Sequence, residues 1–140
     1  MPKLNDYDTI TRLLTTPARW AIVGLSTNSA RPAFRVSRYN RDVLGMQIVP
    51  VHPKAETVHG ETGYERLADI PGQVDVVDCF VNSTIVGSIV DEAIAIGAKT
   101  VWMQLDVVDE AAAQRALDAG LDVVMDLCPQ IESIRRHLQP

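Results

Sequence analysis

A chain of 140 residues that is 46% hydrophobic, 22% charged and 5% aromatic has the size and composition of one domain, 1–140, built on a single core. Eighteen acids against thirteen bases leave a formal charge of −5, which excludes holding nucleic acid or an anionic membrane through the overall field. The bases are unevenly spent, because Arg31, Arg35, Arg38 and Arg41 place four of the ten arginines within eleven residues.

Residues 1–6 turn polar and acidic at once, without the apolar run of a secretory signal, and no stretch approaches the roughly 18 apolar residues of a membrane span. Cys79 and Cys128 stand far apart with no Cys-x-x-Cys. A disulfide framework or zinc site is therefore not expected, no other metal-ligand spacing is visible, and a reducing cytoplasm is the expected compartment.

Asn5 is placed to cap a first helix reaching Thr16, with Ile10, Leu13 and Leu14 on one face and Pro17 beyond its end. Residues 19–24 form a first apolar strand. A small polar loop follows, and Pro32 suits the first turn of a second helix running toward Gly45, with Val36, Tyr39, Val43 and Leu44 inward. After a second strand at 46–51, the stretch 52–71 is the least regular in the chain. It should hold one helical turn near 64–67 and is the segment best suited to move.

A third strand covers 75–81, and Ser83 caps a third helix whose Ile85, Ile89, Ala93 and Ile96 recur at helical spacing. The fourth strand is 100–105, the fourth helix runs from an Asp109 cap to Gly120, and the fifth strand is 121–125. Pro129 opens a fifth helix carrying Ile131, Ile134 and Leu138. This alternation predicts an α/β fold, a Rossmann-like doubly wound sheet of about five parallel strands with helices on both faces. Ligands of such sheets sit beyond the carboxyl ends of the strands, where the strand order reverses.

The loop Gly24-Leu25-Ser26-Thr27-Asn28-Ser29-Ala30-Arg31 leads from a strand into a helix N-terminus, so backbone N–H groups and the helix dipole favour an anion there. Arg31 adds a forked cation and is the arginine expected to reach a ligand. Arg35 is an open case, while Arg38 and Arg41 fit a solvated stripe. Only the first glycine of the dinucleotide fingerprint is present, and there is no Gly-Lys-Ser/Thr. After the second strand, Val51-His52-Pro53-Lys54 offers neutral or basic groups where an NAD site needs an acid for the ribose hydroxyls. That favours a phosphorylated ribose, as in coenzyme A or NADP.

The segments Ala-Ile-Val-Gly-Leu-Ser-Thr-Asn-Ser-Ala-Arg-Pro at 21–32, Val-Pro-Val-His-Pro at 49–53, Val-Asp-Val-Val-Asp at 74–78, Trp-Met-Gln-Leu at 102–105 and Ala-Gly-Leu-Asp-Val-Val-Met-Asp at 119–126, followed by Cys128-Pro129, carry a resemblance. The chain resembles small bacterial CoA-binding proteins whose single domain is similar to the nucleotide-binding domain of the succinyl-CoA synthetase α subunit. The resemblance implies that the loop Gly24 to Arg31, with Gly24, Leu25, Ser26, Thr27, Asn28 and Arg31, holds the pyrophosphate of coenzyme A. It places His52 and Lys54 near the ribose phosphate and Phe80, Val81 and Asn82 near adenine. Asp106, where the family more often has glycine, adds a charge opposed to a polyanion.

Gln104 is a polar residue in an apolar strand, open to two roles: facing the ligand or bonding a neighbouring segment. Cys128, ahead of a helix, is either a thiol activated by the dipole or a small buried apolar residue. No Ser-His-Asp, Cys-His or paired-carboxylate constellation is visible, and the synthetase histidine that carries phosphoryl groups belongs to a second domain. The expectation is a module that binds coenzyme A or an acyl-CoA without catalysis of its own. The alternative is an NADP-dependent reductase or CoA-linked transferase using the same site. The partner is a small nucleotide, with no nucleic acid and no membrane, and the protein is expected as a monomer or small homo-oligomer whose self-interface would involve Trp20, Trp102 and the first helix.

Overall fold

In the computed structural model, which describes residues 1–139, five strands form one parallel sheet. They are β1 (Arg19–Val23), β2 (Gln47–Val51), β3 (Val76–Cys79), β4 (Thr100–Met103) and β5 (Asp122–Val124), in the order β2-β1-β3-β4-β5. The strands are buried on both faces, as their β-branched composition requires. Each is a residue or more shorter than the apolar run containing it, because the terminal residues turn toward the loops.

Five helices cover the sheet: α1 (Tyr7–Thr15), α2 (Pro32–Asp42), α3 (Ser83–Ala95), α4 (Glu110–Asp118) and α5 (Pro129–Arg135). Apolar residues from α1 and α2 meet Trp20, Ile22, Ile48 and Trp102 on one face, and α3 and α4 cover Ala21, Val77, Val101 and Val123 on the other. No helix among the described residues is long and apolar enough to cross a membrane.

Several local expectations are corrected. Asp6, not Asn5, caps α1, accepting from the N–H and hydroxyl of Thr9 at 3.0 and 2.9 Å, which holds its carboxyl below the ordinary value. Asn5 takes a left-handed φ of 54° and pairs with Met125, donating to its carbonyl at 3.1 Å and accepting from its N–H at 2.7 Å. The residue thus extends the β5 edge. Asn82, not Ser83, stands at the cap of α3. Its buried stripe is Val86, Val90 and Ala93; Ile89 and Ile96 pack half-buried against the core, and Ile85 is exposed. On α5, Ile131 and Ile134 are exposed while Glu132 and Ser133 are buried. Trp20 and Trp102 are fully buried with ring centroids 5.6 Å apart, so neither is available to a self-interface.

Pro50 in β2 donates no hydrogen bond, which an edge strand tolerates. The stretch 52–71 covers that edge and is cross-tied despite its irregularity. Tyr64 donates its N–H to Pro50 at 2.9 Å and accepts from the His52 N–H at 3.0 Å. Arg41, exposed as expected, donates to the His59 carbonyl and pairs with Glu61 at 3.5 Å, so it also ties this stretch to α2. The expected helical turn lies slightly later, as a 3-10 turn at Leu67–Asp69.

Candidate functional site

The strand order reverses between β1 and β3, and β2 and β4 lie outside them. A cleft of about 1210 Å3 opens at this point, across the carboxyl ends of the strands. Gly24 shapes its floor. With φ of +98°, a side chain there would set its Cβ 2.3 Å from the carbonyl oxygen of Phe80. Only glycine lets the first turn after β1 press against the end of β3.

Beyond Gly24 the loop supplies donors unequally. Asn28 donates its N–H to the Ser26 hydroxyl at 3.2 Å, and Ala30 donates its N–H to the Asn28 side chain at 3.0 Å. Thr27 directs its hydroxyl and N–H at the Glu56 carboxylate, at 3.0 and 3.5 Å. The backbone N–H groups of residues 25, 26 and 29 have no acceptor among the described residues. Those three N–H groups are therefore the free donors of the loop, beside the N-terminus of α2. The Leu25 side chain is fully buried in the core, so this residue offers the loop its backbone N–H alone.

Arg31 and Arg35 are exposed and line the cleft, and neither forms a salt bridge among the described residues. Arg38 turns away and lies 5.7 Å from the Phe34 ring centroid. His52 and Lys54 line the β2 side of the cleft. The Lys54 N–H donates to His52 Nδ1 at 3.1 Å, so neutral His52 carries its proton on Nε2 as a free donor. Phe80, Val81 and Asn82 line the cleft at the end of β3, and Gln104 lines it at the end of β4.

Sequence reasoning missed three further wall residues: Glu56, Glu65 and Arg66. It also passed over Asp78, which is fully buried in the central strand between Ile22 and Trp102. Gln104 Nε2 donates to Asp78 Oδ1 at 2.6 Å, while Oδ2 has no partner. Burial pushes the Asp78 carboxyl up to about 8, and the hydrogen bond from Gln104 pulls the other way. Asp78 is thus protonated at neutral pH. The signal was present as one acid inside an apolar strand.

Both thiols are free. Burial, followed by the neighbouring Asp78, raises Cys79 well above the ordinary value. Cys128 also lines the cleft, and burial raises it despite hydrogen bonds from the N–H groups of Ile131 and Gln130. Its thiol stays protonated at neutral pH, so the dipole does not activate it. No group of three or more His, Cys, Asp or Glu side chains placed to hold a metal ion occurs among the described residues.

Residues 18–134 match the family described as "CoA binding domain". The uncharacterized protein YneT of Bacillus subtilis (strain 168) is 32% identical over 122 residues, covering 87% of this chain and 90% of that protein. A hypothetical protein from Pyrococcus horikoshii OT3 is similar at 36% identity with a TM-score of 0.86, over 91% of this chain and 89% of that one. A dinucleotide forming acetyl-coenzyme A synthetase 1 from Ca. Korarchaeum cryptofilum, solved with phosphate and ADP, is similar at 22% identity and a TM-score of 0.69. That match covers 84% of this chain and 27% of the synthetase and is a likeness of fold.

Proposed function

This chain belongs to the CoA binding domain family, and on that premise we propose that it holds coenzyme A in the cleft through the loop after β1, without catalysing a reaction. The observation that carries this is the convergence of unsatisfied donors. The Ser26 N–H, which has no acceptor among the described residues, the N-terminus of α2 and the guanidinium groups of Arg31 and Arg35 meet at the strand-order reversal, with the free N–H groups of residues 25 and 29 in the same loop. These are the donor types a pyrophosphate requires, and the Gly24 turn supplies the close backbone approach.

His52 and Lys54 supply a hydrogen-bond donor and a cation for the ribose phosphate, and no carboxylate follows β2 directly. The net charge of −5 does not oppose this. A cation about 4 Å from a phosphate gains about 4 kcal/mol at an effective dielectric near 20, before desolvation, whereas exposed charges beyond roughly 8 Å are screened. Phe80 and Val81, half-buried at the end of β3, offer apolar surface to adenine. The Cys128 thiol, raised by burial and so protonated, favours binding over thiol chemistry. The two free thiols suit a reducing cytoplasm.

Calorimetric titration with coenzyme A, dephospho-coenzyme A and NADP tests this reading. Coenzyme A should bind more tightly than either of the others. Equal affinity for dephospho-coenzyme A would remove His52 and Lys54 from the site, and preference for NADP would replace the proposed ligand.

A further inference from the structure

At the β4 and β5 end of the cleft, three aliphatic side chains are left open to solvent. Ile85 is 52% exposed, Leu105 48% and Ile131 43%, and all three line the cleft. They stand on separate segments: the first turn of α3, the loop between β4 and α4, and the first turn of α5. Hydrogen bonds lock those segments together. The Ser83 hydroxyl donates to the Asp106 carbonyl at 3.1 Å and accepts from the Val108 N–H at 2.9 Å, which ties the loop to α3. The Asp106 N–H donates to Asp126 Oδ1 at 2.7 Å, which ties the same loop to the turn before α5.

The lock is held against backbone preference. Asp106 and Asp126 adopt left-handed φ values of 66° and 63°, a sparsely populated region for residues with a Cβ, which persists where the surroundings enforce it. Leu105 is therefore presented outward by a braced loop. One exposed aliphatic side chain needs no explanation, but three facing one concavity do. Asp106, exposed at this rim, also disfavours a phosphate there while leaving an uncharged chain unopposed.

We propose that this rim is a subsite for the acyl chain of a coenzyme A thioester, so that the ligand is an acyl-CoA and not the free thiol. The proposal rests on the coenzyme A reading above and assigns the end of the cleft that the nucleotide leaves empty. The cleft volume of about 1210 Å3 exceeds the ordinary range for small-ligand sites, about 300–1,000 Å3. Gln104 is engaged by Asp78 and Cys128 remains a thiol, so neither side chain brings a charge to the wall, whose acids at this end are Asp106 and Glu92. A thioester passing over it is held and not attacked.

The test is calorimetric titration of the full chain with coenzyme A and with octanoyl-CoA below its micellar concentration, repeated on the double variant Ile85→Ser/Ile131→Ser. Both substituted positions are exposed, and circular dichroism checks that the fold is kept. Each methylene group fully buried is worth about fourfold in affinity, so octanoyl-CoA should bind at least tenfold more tightly than coenzyme A. The double variant should reduce that preference below threefold and change coenzyme A affinity by less than twofold. Equal wild-type affinities, or a preference that survives both substitutions, overturn the acyl subsite and leave coenzyme A binding standing. Binding of coenzyme A without octanoyl-CoA overturns the acyl subsite alone, and binding of neither compound overturns both readings.

Discussion

The Glu56 carboxylate accepts hydrogen bonds from both donors of Thr27, the hydroxyl at 3.0 Å and the backbone N–H at 3.5 Å. A carboxylate thus engages the loop proposed to receive a phosphate. A phosphate must either displace it or bind beside a like charge. Replacing Glu56 with Gln keeps an acceptor for the hydroxyl and removes the charge. Coenzyme A should then bind about fivefold more tightly, or by about 1 kcal/mol. Unchanged or weaker calorimetric affinity would show that Glu56 does not oppose the ligand.

The arginines of α2 separate by direction. Arg31 lines the cleft without an ion-pair partner among the described residues, while Arg38 stacks toward Phe34. Arg31→Ala should weaken coenzyme A binding by about 1–3 kcal/mol, and Arg38→Ala by less than about 0.5 kcal/mol. Equal losses in the two variants would point to a general field effect in place of a phosphate contact.

Two glycines with positive φ distinguish backbone strain from collision. Gly24 and Gly45 have φ of +98° and +76°, but a Cβ at Gly24 meets the Phe80 carbonyl oxygen at 2.3 Å, whereas one at Gly45 meets nothing within 4 Å. Gly45→Ala should cost about 1 kcal/mol from left-handed strain alone. Gly24→Ala should cost about 2–3 kcal/mol or more and lower ligand affinity, since the loop must move. Urea denaturation of both variants checks the order, and equal losses would contradict the close approach.

Asp78 makes stability depend on pH. Its carboxyl titrates at about 8 in the fold against an ordinary value of 3.8, so the folded state binds the extra proton. That contribution is complete below about pH 4 and is lost as pH rises toward 8, at about 1.4 kcal/mol per pH unit. Asp78→Asn removes the titration and keeps an acceptor for Gln104. Between about pH 5.5 and 8.5, the variant should gain about 3 kcal/mol on the wild type in urea denaturation. A difference that does not change with pH would mean that Asp78 is ionised in the fold.

The parallel sheet and the anion loop were legible because each rests on local residues: β-branched runs for the strands, then Gly24 and Pro32 at the junction. Helix faces were less legible. Ile85 and Ile131 fall on an apolar helical period but face the cleft, and periodicity cannot separate a core wall from a ligand wall. For Leu25 the loop position was legible, while the burial of its side chain in the core was not. Glu56 was hidden because it reaches Thr27 across 29 residues of sequence. Asp78 looked like an interruption in a strand, and only its full burial beside Gln104 shows a protonated carboxyl.

Native mass spectrometry of the purified chain mixed with equimolar coenzyme A, NADP and ATP tests the central claim most directly. Coenzyme A should appear as the dominant adduct, one per chain, and the Arg31→Ala protein should lose most of it. A dominant NADP or ATP adduct, or no adduct at micromolar concentration, would contradict the account.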